Sequence, residues 1–136
     1  MGLKPVEVVQ ALLAAFGKGN LPAMLGLMSD DVDWAGDKLD ADIPTHVNRR
    51  GKAEVPKFFE AVGREQDFAR FEPLHFLCDG NEVAVLVHEE FTFRRTGRKV
   101  DFQAIHHFTV DGSSRISRYR SYYESARYAA AFRGTA

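Results

Sequence analysis

Residues 82–110 read EVAVLVHEEFTFRRTGRKVDFQAIHHFTV, and this stretch decides the fold. Apolar and polar side chains alternate on both sides of Thr96-Gly97, which is the period of a half-buried strand. Two alternating runs around a short turn signal read as a hairpin. A two-residue loop at Thr96-Gly97 sets Arg95 opposite Arg98, Phe93 opposite Val100 and Phe91 opposite Phe102. One face then carries Val83, Val85, Val87, Glu89, Phe91 and Phe93, followed by Val100, Phe102, Ala104, His106 and Phe108. The other carries His88, Glu90, Thr92 and Arg94, then Lys99, Asp101, Gln103 and His107. The first face is apolar except for Glu89 and His106. In this register His106 faces Val87, and Glu89 is its diagonal neighbour at roughly 7–8 Å between backbones.

The flanking chain is also regular. C-terminal to the hairpin, Asp111-Gly112-Ser113-Ser114 turns into a last strand, Arg115–Glu124, followed by a helical tail, Ala126–Phe132. On the last strand Tyr119, Ser121 and Tyr123 share one face, and Arg118, Arg120 and Tyr122 the other; alternation alone leaves open which set is inward. N-terminal to it, Phe71–Asp79 reads as a strand ending at Gly80-Asn81. Val55, Phe58, Phe59 and Val62 mark a helix over Lys52–Arg64, and residues 36–50 form a long irregular stretch. Val32–Ala35 is a short strand. Val9, Leu12, Leu13 and Phe16 give residues 5–17 a helical stripe behind Pro5, and a second short helix begins near Pro22. Helices followed by a meander make an α+β layer fold.

Composition narrows the function. The 136 residues suit one domain, and 45% hydrophobic with 27% charged residues is ordinary for a globular chain. Eighteen basic against nineteen acidic side chains argue against nucleic-acid binding. No apolar run approaches the roughly 20 residues of a membrane helix, and no secretory signal is expected at the N-terminus. A single Cys78 excludes an internal disulfide; it suits a reducing cytoplasm and is expected to be a buried, inert thiol. Eleven Phe, four Tyr and one Trp exceed what a minimal core needs and point to an aromatic-lined cavity or interface. No dinucleotide fingerprint or phosphate loop is present, so no cofactor is expected. His106 and His107 point to opposite faces of one strand and cannot share a metal, and no metal site is expected. His46 and Arg49 lie in the long stretch near the expected pocket mouth, where a surface role is favoured over contact with a ligand.

The order Ala14-Ala15-Phe16, Gly19-Asn20-Leu21, Ser29-Asp30-Asp31-Val32-Asp33-Trp34, Arg50-Gly51-Lys52-Ala53-Glu54-Val55, Ile105-His106-His107-Phe108-Thr109-Val110-Asp111-Gly112 and Ile116–Tyr123 resembles the SnoaL-like and ketosteroid-isomerase-like branch of the nuclear-transport-factor-like superfamily. The resemblance implies a single domain over residues 1–136. It implies a cone-shaped curved antiparallel sheet wrapped around N-terminal helices, with a pocket at the open end. It also implies that Tyr119, Ser121 and Tyr123 point inward with Trp34, and that the chain pairs through its sheet as a homodimer. The family's catalytic groups mostly do not carry over. Where ketosteroid isomerases have a tyrosine, a base and an oxyanion-hole aspartate, this chain has Leu12, Gly36 and His106. Where limonene-epoxide-hydrolase-like members have an arginine and two aspartates, it has Val87, Glu89 and Ser121. Asp37 and Asp40, just beyond the first strand, are the acids nearest the missing base.

Two readings of Glu89 and His106 stand. Buried ionisable groups pair, shift their protonation or line a hydrated pocket. They are either a satisfied polar pair in a core or a pocket acid/base with its orienting partner. On the second reading Phe16, Trp34, Phe58, Phe91, Phe102, Tyr119 and Tyr123 wall a site for a compact apolar ligand. The chemistry is then acid/base work of an isomerase, cyclase or hydrolase. The alternative is a ligand-binding or association domain without turnover.

Overall fold

The structure is a computed structural model and describes residues 2–35, 40 and 42–135. The readings of Gly36 and Asp37 lie outside the described residues. Helix α1 (Pro5–Gly17) starts as expected, with Pro5 in its first turn and the Glu7 carboxylate accepting the Lys4 N–H at 2.9 Å. In α2 (Leu21–Gly26) the Asn20 side chain accepts the Ala23 N–H at 3.2 Å, closing an orphan donor of the first turn. Strand β1 (Met28–Trp34) begins four residues before the expected Val32. After a 3-10 turn (Pro44–His46) come the short β2 (Arg49–Arg50) and α3 (Val55–Glu65). Strand β3 (Gln66–Asp79) begins five residues before the expected Phe71. It holds Pro73 because it is the sheet's edge and its register shifts beside that residue. Then follow β4 (Glu82–Phe93), β5 (Lys99–Val110), β6 (Ile116–Tyr122) and α4 (Ser125–Arg133).

The six strands form one curved, open sheet in the order β2-β1-β6-β5-β4-β3. Pairing is antiparallel except between β1 and β6, which run parallel. That exception escapes a hairpin reading because a long crossover, not a turn, joins those two strands.

The central hairpin differs from the sequence reading by two residues. Phe91 faces Val100, Glu89 faces Phe102 and His106 faces Val85. The loop spans four residues, closed by Phe93 N–H to Arg98 O at 2.9 Å and Gly97 N–H to Phe93 O at 2.8 Å. A two-residue primed turn needs positive φ at its first centre, and the type I′ form at both. Gly97 supplies it at φ 71°, whereas β-branched Thr96 resists it. A slip of two, unlike a slip of one, keeps every side chain on its face, and β4 alternates buried and less buried residues along its length.

The inner face carries two apolar clusters. Val83, Val85, Val87 and Phe108 pack with Val8, Val9 and Leu12 of α1. Phe91, Phe93, Val100 and Phe102 pack with Tyr128, Ala129 and Phe132 of α4. The cationic loop tip anchors this second cluster. Arg95 lies 4.2 Å over the Phe132 ring and pairs with Glu65, and Arg98 donates to the Gly134 and Thr135 carbonyls beyond α4. Cys78, expected to be buried, is exposed beside the β3–β4 turn. Among the described residues no helix is long and apolar enough to cross a membrane.

Candidate functional site

A cavity opens between α1, α3 and the concave face of the sheet. Its volume is about 80 Å³, several times what one water needs. Its walls are mainly apolar: Leu12, Leu13, Phe16, Met24, Trp34, Phe58, Phe59, Val62, Phe68, Phe71 and Phe108. Set into them are Thr45, Gln66, Glu89, His106, Tyr119, Ser121, Tyr123 and Tyr128. No lysine or arginine lines it among the described residues.

One hydrogen-bonded chain crosses this wall. Glu89 Oε2 lies 2.8 Å from His106 Nε2, and His106 Nδ1 lies 2.9 Å from the Tyr119 hydroxyl. All three residues are buried, at 7%, 7% and 5% exposure. Their elements explain the meeting: Glu89 and His106 rise from the inner face of β4 and β5, and β6 places Ser121 opposite His106 and Tyr119 opposite Phe108. An ionised carboxylate only accepts, so a neutral His106 carries its proton on Nε2. Nδ1 then accepts the Tyr119 O–H. Burial pushes the Tyr119 phenol well above the usual tyrosine range; the Ser121 hydroxyl opposes that rise and the Glu89 charge adds to it. The Trp34 ring lies tilted against Tyr119, their centroids 4.3 Å apart, and Phe71 presents its edge to His106 at 5.6 Å. The Trp34 indole nitrogen is buried without an acceptor among the described residues.

The structure brings together Phe16, Trp34, Phe58, Glu89, His106, Tyr119 and Tyr123 at one cavity. Phe91 and Phe102 lie elsewhere, in the cluster beneath α4; Phe102 reaches Tyr123 at 5.1 Å but does not line the cavity. The outer-face histidines pair separately, His88 with Asp101 at 2.6 Å and His107 with Glu82 at 2.7 Å. Among the described residues no three metal-ligating side chains cluster.

Sequence reasoning missed a second polar group. His46, read as a surface residue, is 2% exposed. Its Nε2 lies 2.5 Å from the Tyr123 hydroxyl, and its ring stacks on Tyr128 at 4.8 Å. Tyr128 donates to Gln66 Oε1 at 3.0 Å and accepts from Thr45 Oγ1 at 2.5 Å. Burial raises the phenols of Tyr123 and Tyr128 above the ordinary range. The only sequence signal was the length of the irregular stretch holding Thr45 and His46.

A family model described as the SnoaL-like domain matches residues 9–119, and the chain belongs to that family. An NTF2-like protein from Burkholderia xenovorans LB400 is 22% identical, with 94% of this chain and 95% of that one covered and a TM-score of 0.83. TerC, co-crystallised with polyporic acid, is 20% identical over 95% of this chain and 98% of its own, with a TM-score of 0.80. A protein from Pseudomonas putida KT2440, provisionally described as a polyketide cyclase, is 24% identical over 96% and 98%, with a TM-score of 0.72. At these identities the likeness is one of fold. Among curated proteins, none matches the chain in sequence.

Proposed function

We propose that the cavity binds a compact, largely apolar small molecule and performs acid/base chemistry on it, of the isomerase or cyclase type. Glu89 is the acid/base. His106 is its orienting, hydrogen-donating partner, and Tyr119 extends the chain. Phe16, Trp34 and Phe58 hold the ligand's apolar body. The observation that carries this reading is the Glu89–His106–Tyr119 chain set in the wall of an otherwise apolar cavity. Groups poised by burial and mutual hydrogen bonds beside a cleft are the usual equipment of proton transfer. The Trp34 indole N–H, unpartnered among the described residues, supports a ligand or water acceptor there, since such a donor costs about 1–3 kcal/mol when left unmet. The neighbours described as cyclases support the same class without naming a substrate.

The test is Glu89→Gln. The amide keeps the shape of the side chain but cannot accept and return a proton. Turnover of any substrate found is expected to vanish in a folded variant, and retained turnover would overturn the mechanism. A second reading, binding without turnover, draws on the 2.8 Å contact through which Glu89 and His106 already satisfy one another. A pH–rate profile separates the two, because that reading predicts none.

The proposal also makes the protein a homodimer joined through the outer sheet face. Ile105 and Tyr122 are 38% and 54% exposed there among charged neighbours, a mixture that suits a polar-rimmed interface. A cytoplasmic location is part of the reading, supported by the single cysteine.

A further inference from the structure

We infer that Trp34 is the residue that recognises the ligand's polar group, and that this group is a neutral carbonyl whose oxygen accepts the Trp34 indole N–H. This rests on the cavity being a small-molecule site and names the class of molecule that site takes.

Trp34 lines the cavity and is 2% exposed. Its Nε1 is buried and has no hydrogen-bond partner among the described residues. Indole is a donor only. Buried donors are nearly always paired, so one left unmet at a cavity wall is a group for a ligand or water to complete. The rings around it explain why the protein offers no acceptor. Phe58, Phe59 and Phe108 surround the indole at 6.0, 5.6 and 6.4 Å between centroids and present only hydrocarbon. Tyr119, at 4.3 Å, has its hydroxyl engaged with His106 Nδ1 at 2.9 Å. A ring face takes an N–H only weakly.

The backbone fixes the indole in advance. Trp34 ends β1, opposite Tyr119 of β6 on one side and Arg49 of β2 on the other. Ala35 follows at φ 64°, in the left-handed region that a residue with a Cβ disfavours. Its N–H donates to the Tyr119 carbonyl at 3.0 Å, which holds the chain there. A donor placed this way loses little freedom when a ligand arrives.

The surroundings select the acceptor. A carbonyl oxygen accepts without bringing a donor of its own. A hydroxyl in the same place would bury its O–H among phenyl rings. A carboxylate is disfavoured, because Glu89 lines the same cavity and no lysine or arginine does among the described residues. A ketone or aldehyde on a compact apolar body meets all three conditions. It also fits the acid/base reading, since a carbonyl acidifies the C–H beside it and Glu89 is a base for such a proton. One ring contact and two hydrogen bonds lead from Trp34 through Tyr119 and His106 to Glu89.

The experiment uses three alicyclic probes of one shape: cyclohexanone, cyclohexanol and methylenecyclohexane. Binding to the ¹⁵N-labelled protein is followed by amide shifts of the cavity residues, and Trp34, the only tryptophan, gives a single indole N–H signal. Cyclohexanone is expected to move that proton downfield, cyclohexanol to move it less, and methylenecyclohexane to bind without a downfield shift. Trp34→Phe should lower the ratio of ketone to alkene affinity roughly three- to tenfold, the worth of one net hydrogen bond. Taking the ratio cancels the packing that the smaller ring loses toward both probes. The indole signal of the unaltered protein decides the matter if Trp34→Phe does not fold. Ketone binding without a downfield shift, or a ratio that survives the substitution, overturns the role of Trp34 and leaves the small-molecule site standing. A larger downfield shift with the alcohol than with the ketone overturns the carbonyl class. Failure of all three probes to bind overturns the site reading and this inference together.

Discussion

His106 Nε2 lies 2.8 Å from Glu89 Oε2, although their cross-strand partners are Val85 and Phe102, four residues out of step. On a flat sheet that offset separates two backbones by roughly 13 Å along the strands. Two things close the gap. The sheet curves, so side chains on its concave face converge. Ala104, which faces Val87 between them, is too small to stand in the way.

This pair makes a stability prediction. His106→Leu leaves the Glu89 carboxylate buried without its hydrogen-bond donor and should cost about 1–3 kcal/mol in urea unfolding. Replacing both residues by leucine should cost less than His106→Leu alone, because no charge is then stranded. An additive double variant would mean that the two groups do not interact in solution.

The tyrosines predict base sensitivity. Burial raises the phenols of Tyr119, Tyr123 and Tyr128 in the folded state. A raised folded value means stabilisation that is complete below the unfolded phenol value of about 10 and is lost as pH climbs above it. Absorbance titration of phenolate should show these three ionising only together with unfolding. Tyr123→Phe should flatten the alkaline loss of stability relative to the unaltered protein.

The loop tip predicts an acid effect. Burial raises the Glu65 carboxyl, but hydrogen bonds from Arg95 and Arg64 outweigh it and hold it below the ordinary range. The resulting stabilisation is present above the unfolded glutamate value and fades as pH falls through the folded one. Arg95→Ala removes one of these partners and the cation over Phe132. It should cost about 1–3 kcal/mol at neutral pH, with less of that difference remaining in acid, once Glu65 is protonated in both forms.

The outer face predicts assembly. Sedimentation at micromolar concentration is expected to show a dimer, and Ile105→Arg, placed at the centre of the exposed face, should give monomers with unchanged secondary structure. A monomer from the unaltered chain would remove the interface.

Strand parity was legible without coordinates. A period of two is local, so Glu89 and His106 fall on the buried face whichever even register the hairpin takes, whereas on the last strand alternation alone left the side of Tyr119 open. The helical stripe of α1 was legible for the same reason, since its spacing depends only on its own residues. Register itself was not, because Thr96 will not take the positive φ that the shorter loop requires and Gly97 alone cannot supply it.

What only the tertiary structure decided was depth along each strand and the fate of the irregular stretch. Phe91 and Phe102 share a face with Glu89, yet they lie beneath α4, while the neighbouring end of that face stays open as the cavity. Which helix covers which end is a matter of long-range packing, and no local period encodes it. His46 sits in a segment with no periodicity at all. Its burial comes from Tyr123 and Tyr128, 77 and 82 positions further along the chain, the first through a hydrogen bond and the second through a stacked ring. Contacts at that separation form only when the whole sheet and α4 are in place, which is why the sequence by itself determined the inner face and only the fold determined the site upon it.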